Sequence, residues 1–177
     1  MHIRPATPGD IAAVADIYDA IHTAEEQGLS TIGWIRGVYP TQQTAEASLA
    51  RGDFFVAEAD GQVVGAAIIN QQQVDVYQGA PWQHPASDEQ VMVLHTLVIH
   101  PQADGHGYGT QFVAFYEDYA RAHGCPFLRM DTNARNTAAR ALYKKLGYAE
   151  IGIVPCVFNG IDGVQLVLLE KAMEPNK

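Results

Sequence analysis

The sequence predicts a single mixed α/β domain, a sheet flanked by helices with one crossover helix between parallel neighbours. Three observations predict it. Segments of helical and of strand period are interspersed along 177 residues. A nine-residue run, VMVLHTLVI at 91–99, is apolar almost throughout, as in a central strand covered on both faces. That run leads through a glycine-rich junction into a helical segment and then a second strand, FLRMDT, which is the order of a right-handed crossover.

The elements follow in order. Residues 2–6 form a short first strand. PGDIAAVADIYDAIH, 8–22, carries Ile11, Val14, Ile17, Tyr18 and Ile21 on one helical stripe. Residues 28–40, GLSTIGWIRGVYP, are rich in glycine and aromatics and form a loop or broken helix. Residues 41–50 are helical and stop at Gly52. DFFVAEADGQVVGAAIIN is a hairpin turning at Asp60-Gly61, a pair suited to tight hairpin turns. Residues 71–90 are an irregular insert, and loops of that length usually carry function or lack order. Strand 91–99 follows, then a helix over 110–123 ended by Gly124 and Pro126. After FLRMDT comes a helix over 136–146, stopped at Gly147. Strands 148–158 and 163–171, joined by NGIDG, close a domain spanning 1–172, with 173–177 a short polar tail.

A chain of this length buries roughly 70% of its unfolded surface, and the 47% hydrophobic content is that of an ordinary globular protein. Eleven Lys and Arg against 20 Asp and Glu leave a charge of −9, which argues against a nucleic-acid partner. No apolar run reaches membrane-spanning length, and the N-terminus has no apolar leader core. Cys125 and Cys156 have neither metal-ligand spacing nor a disulfide framework, so a reducing cytoplasm is the expected compartment and no metal is expected.

The junction HPQADGHGYGTQF sets Gly105, Gly107 and Gly109 immediately before a helix. Backbone N–H groups there, backed by the helix dipole, suit a phosphate or pyrophosphate. A dinucleotide fingerprint fails on spacing, because Thr110 stands where a third glycine or alanine is wanted. A Walker loop fails because no Gly-Lys-Ser/Thr follows.

LHTLVIHPQADGHGYGTQF, followed by NARNTAARALYKKLGY, resembles the GNAT superfamily of acyl-CoA-dependent acyltransferases. The second motif, Asn136, Ala139, Leu142, Tyr143, Gly147 and Tyr148, is complete. The first places Gly107 and Gly109 on the family glycines but puts Asp104 where the family carries Arg or Gln. The resemblance implies a mostly antiparallel central sheet with one splayed parallel pair and flanking helices. It implies an N-acetyltransferase that moves an acetyl group from acetyl-CoA directly to a primary amine, a small molecule or a peptide. A non-catalytic acyl-CoA-binding module is the alternative, and a homodimer stays open. Tyr143 is the implied acid, since a phenol of pKa near ~10 can protonate a departing thiolate; the residue also lies on an apolar stripe. His95 stands close to where family members carry a basic Glu, and an imidazole can replace it. Leu97, Val98 and Ile99 would offer backbone groups to the pantetheine arm. Asp104, Gly105, His106, Gly107, Tyr108, Gly109 and Thr110 would face the pyrophosphate, with Asn136 and Ala139 beside the arm. Trp34, Tyr39, Tyr77 and Trp82, in the two irregular segments, and Asp131, ending its strand, are the candidates for the acceptor pocket.

Overall fold

A computed structural model describes residues 1–174; of the expected polar tail, residues 175–177 lie outside the described residues. Seven strands form one sheet in the order β1-β2-β3-β4-β5-β7-β6. They are β1 (His2–Pro5), β2 (Phe54–Ala59), β3 (Gln62–Asn70), β4 (Val91–Ile99), β5 (Phe127–Asn133), β6 (Ala149–Phe158) and β7 (Ile161–Ala172). Four helices flank it: α1 (Ile11–Glu26), α2 (Gln42–Arg51), α3 (Tyr108–Ala122) and α4 (Thr137–Lys145). Every neighbouring pair is antiparallel except β4 and β5. The expected sheet, mostly antiparallel with one parallel pair, is the one observed.

Strand period sorts side chains between the two faces. In β2, Phe54 and Val56 point to the stripe of α1, where Val14, Ile17 and Tyr18 are almost wholly buried. Phe55 and Ala57 point the other way, to Phe112, Val113 and Tyr116 of α3. The Tyr116 hydroxyl donates to the carbonyls of Met92 (2.6 Å) and Arg129 (3.2 Å), pinning α3 over the β4–β5 seam.

α1 and α2 cover one face of the sheet only as far as β4. Residues 71–90 cover the rest: Tyr77 packs with Val91, Val93, Val164, Leu166 and Leu168. This insert contains two short 3-10 turns, Asp75–Tyr77 and Asp88–Gln90. It is held by a buried ion pair. Arg129 and Glu170 are cross-strand partners on β5 and β7, exposed by only 3% and 2%, with Nη2 and Oε1 3.2 Å apart. Glu170 also accepts from the backbone N–H of Gln83 (2.9 Å) and of His84 (3.3 Å). Arg129 donates to Gln73 and to the His84 carbonyl, and its guanidinium lies 4.0 Å from the Trp82 ring. Charges taken from water need such dense compensation.

Three elements differ from the sequence reading by two residues or more. α1 follows a 3-10 turn at Pro8–Asp10 and runs one turn further than expected. α3 starts at Tyr108, because left-handed Gly107 caps it. β7 starts at Ile161, because Asn159 and Gly160, both at positive φ, close the hairpin as a two-residue turn.

Candidate active site

β4 and β5 pair over only four residues each, Val91–Leu94 with Phe127–Met130. Beyond that point β4 is bulged. Between Ile68↔His95 and Ala66↔Val98, three steps along β4 oppose two along β3. The extra residue falls at Thr96, which sits at φ 51. A β-branched residue at positive φ is strained by about 1–3 kcal/mol. The Tyr39 hydroxyl shares a hydrogen bond with Thr96 Oγ1, holding the bulge from the α1–α2 loop. Gly65 is required opposite: a Cβ there would stand 2.7 Å from the Val98 carbonyl oxygen.

The parted strands open a cavity of about 140 Å³. Its walls bring together residues from across the chain: His95, Thr96 and Leu97 on β4, Asp131 to Asn133 on β5, Asn136, Ala139 and Tyr143 at α4, Trp34 and Tyr39, and Phe158 at the end of β6. Asn136 is also the N-cap of α4, its side chain accepting from the Ala139 N–H at 3.1 Å. Tyr143 is 8% exposed and packs edge-on against Tyr148, ring centroids 6.1 Å apart. Tyr77 reaches the site through Asp131, to which its hydroxyl donates at 2.7 Å. Trp82 is not on the cavity wall; it stands behind Tyr77 and against Arg129.

His95 is held from the side away from the cavity. Its Nε2–H donates to Asn70 Oδ1 (2.9 Å), Asn70 Nδ2 donates to Asp53 (2.9 Å), and Arg51 clamps the same carboxylate. Asp53 fixes the orientation of the Asn70 amide, and the amide sets the imidazole tautomer, so the Nδ1 of His95 carries the lone pair. Sequence reasoning missed Asn70, Asp53, Phe158 and the Thr96 bulge. Of these only the polar end of an otherwise apolar β3 gave a signal.

The glycine junction lies past the end of β4. Gly105 and Gly107 take φ of 82 and 71, and a Cβ on either would meet nothing within 4 Å. The loop is therefore open to a ligand at the N-terminus of α3. Exposed Asp104 caps it locally, its Oδ1 accepting from the Gly105 N–H at 2.8 Å. His106 stacks on Tyr108, centroids 5.3 Å apart. Gly109 faces α4, where a Cβ would lie 3.4 Å from Leu142. Val98 and Ile99 lie between this loop and the cavity, Val98 packed among the α1-side core residues.

A sequence model of the acetyltransferase (GNAT) family matches residues 14–148. The chain belongs to the GNAT acetyltransferase family. Over 150 residues this GNAT acetyltransferase is 25% identical to the uncharacterized N-acetyltransferase YhfO of Bacillus subtilis (strain 168), covering 85% of the chain and 91% of the relative. A GNAT-family acetyltransferase from Streptococcus agalactiae superimposes with a TM-score of 0.79 at 25% identity, over 98% of this chain and 96% of that one. The fold is also that of yncA from Salmonella typhimurium, a putative acetyltransferase solved with acetyl-CoA (TM-score 0.70, 20% identity, 100% and 96% covered).

Electrostatics distinguish the polar groups of this GNAT acetyltransferase site. Burial raises the Tyr143 phenol above its ordinary range, and the nearby Asp131 charge adds to it; the hydroxyl stays protonated at neutral pH. Burial lifts the Asp131 carboxyl from 3.8 to about 6, against the Tyr77 hydrogen bond. Burial also lowers His95 from 6.5 to about 4, so that it is neutral at physiological pH.

The last two shifts act oppositely on stability. A raised carboxyl means the folded state holds the proton more tightly, so stability falls as pH rises from about 4 to about 6. A lowered imidazole disfavours the proton in the folded state, so stability falls as pH drops from 6.5 to about 4. Each contributes at most about 3 kcal/mol, less what cavity water screens. In urea unfolding, Asp131→Asn should gain on the wild type as pH rises through this window. His95→Gln should gain as pH falls. Differences of the same sign in both variants would contradict this placement.

Proposed function

We propose that the chain transfers an acetyl group from acetyl-CoA to a primary amine, directly, within one ternary complex. The carrying observation is the convergence of Tyr143, His95 and Asp131 on one cavity at the point where β4 and β5 part. Tyr143 protonates the departing thiolate. A phenol held fully protonated is suited to that, because the thiolate needs a donor at the moment it leaves. His95, neutral and fixed in tautomer by Asn70, takes the proton released as the amine attacks. Trp34, Tyr39 and Asp131 receive the acceptor, with Tyr77 positioning the carboxylate. The Val98 N–H is a donor for the developing oxyanion, and Leu97 and Ile99 lend backbone groups to the pantetheine arm. The amides of Gly105 to Thr110, with the α3 dipole, take the pyrophosphate. The yncA fold, solved with acetyl-CoA, supports the same donor. Among the described residues no helix is long and apolar enough to cross a membrane, which fits the cytoplasmic setting we propose.

The reading is tested by thiol release from acetyl-CoA in the presence of amines, together with thermal unfolding. A ligand specific to the folded state raises the melting temperature through RT ln(1 + [L]/Kd). Stabilisation by NAD and none by millimolar acetyl-CoA would overturn it.

Asp104 gives a prediction on the donor side. A carboxylate ~7 Å from a pyrophosphate costs on the order of 1 kcal/mol per phosphate charge at an intermediate dielectric. Asp104→Arg should tighten acetyl-CoA binding several-fold at low salt, and the gain should shrink in high salt. Asp104→Asn should give part of it, since Asn loses the charge that now sits on the Gly105 N–H. Calorimetric titration at two salt concentrations measures both. Unchanged affinity for Asp104→Arg at low salt would mean that this side chain faces away from the donor.

A further inference from the structure

Resting on the acetyl-transfer reading, the walls of the cavity define a narrower acceptor class. Asp131 is the one carboxylate on them, and Tyr77 satisfies only its Oδ2. Among the described residues no Lys or Arg pairs with Asp131, and none lines the cavity. Of the two cationic side chains nearest along the chain, Arg129 is engaged by Glu170, and Arg135 belongs to the neighbouring surface groove and lies 3.9 Å from Glu25. Asp131 is half-buried, and a carboxylate partly withdrawn from water without a counter-charge is poorly compensated; an incoming ammonium supplies what the protein withholds. The remaining wall combines an aromatic and aliphatic side, Trp34, Tyr39, Phe158 and Ile161, with neutral polar groups that include Thr132, Asn133 and Asn159.

We infer that the acceptor is a compact monoamine with an aromatic or aliphatic body and no carboxylate, its ammonium on Asp131 and its body among Trp34, Tyr39 and Phe158. An α-amino acid carries its carboxylate two bonds from the nitrogen. That group would enter beside Asp131 with no cation to receive it, so repulsion and desolvation act together against it. A polyamine brings a second ammonium for which the walls hold no second carboxylate. The cavity volume, about 140 Å³, favours a compact body. In the transfer itself the bound ammonium first gives one proton to water, which frees the nitrogen lone pair. The nitrogen then forms the new bond to the acetyl carbon and the carbon–sulfur bond breaks. The second nitrogen proton leaves for His95, the Tyr143 proton passes to the sulfur, and the Tyr143 oxygen is reprotonated from His95.

The test is thiol release from acetyl-CoA by the wild-type protein with matched pairs, phenethylamine against phenylalanine and tyramine against tyrosine, and with spermidine and an alanine-initiated tripeptide. The amine of each pair should exceed its amino acid in kcat/KM by about 10²-fold or more, because the penalty is an unpaired buried charge. Asp131→Asn should raise KM for phenethylamine about tenfold or more while leaving the acetyl-CoA melting shift in place. The pair comparison needs no variant, so it stands even if Asp131→Asn folds poorly. Equal turnover of amine and amino acid, preference for spermidine or the tripeptide, or an unchanged KM in a folded Asp131→Asn would overturn the inference. If acetyl-CoA raises the melting temperature but no monoamine releases thiol, the inference falls alone. If acetyl-CoA neither stabilises the protein nor yields thiol with any amine, the acetyl-transfer reading falls and takes the inference with it.

Discussion

Replacing Tyr143 with phenylalanine is expected to lower kcat by roughly 10²- to 10⁴-fold, the usual worth of a positioned acid, with acetyl-CoA affinity nearly unchanged. The ring sits in the core cluster of α3, α4 and β5, against Tyr148. Phenylalanine keeps that packing and removes only the hydroxyl, so melting temperature should move little. A steady-state comparison alongside a donor titration separates the two roles. A variant as active as the wild type would reduce Tyr143 to a packing residue and transfer the thiolate's protonation to another group.

The largest stability effect is expected at Arg129. Arg129→Met leaves Glu170 buried beneath the 71–90 insert without its cation, a change that costs about 3–5 kcal/mol. The guanidinium also organises Gln73, the His84 carbonyl and the Trp82 ring. The double change Arg129→Met with Glu170→Leu removes both charges and should recover most of the loss, because no charge is left uncompensated. Urea unfolding of the two variants measures this. A loss below about 1 kcal/mol in the single variant would mean that water reaches Glu170 despite its 2% exposure.

What the sequence could tell depended on how local each signal was. The run 91–99, the hairpin around Asp60-Gly61 and the stripe of α1 are period signals, and each became an element close to where it was read. The motif from Asn136 to Tyr148 is likewise contiguous, and its cap and its tyrosine reach the same cavity. Thr96 was hidden because threonine disfavours positive φ; only pairing with β3 forces the bulge. The chain of contacts from Arg51 to His95 depends on a register spanning more than forty residues. Trp82 carried the right chemistry for an acceptor pocket. The buried guanidinium of Arg129 captured it, and nothing local announces that Arg129 is buried. Asn159-Gly160 was legible as a tight turn but lay inside the longer NGIDG, so the start of β7 was set two residues late.

The four-residue seam between β4 and β5 has a further consequence. Four strands lie on one side of it and three on the other, joined by that short ladder and by the clasp of Tyr116. An elongated ligand carrying amides, laid along the open half of β4, would act as a substitute strand and complete the ladder. Donor binding should then be legible in hydrogen–deuterium exchange as new protection along residues 96–99 and 131–133, with the two half-sheets slowing together as one cooperative unit.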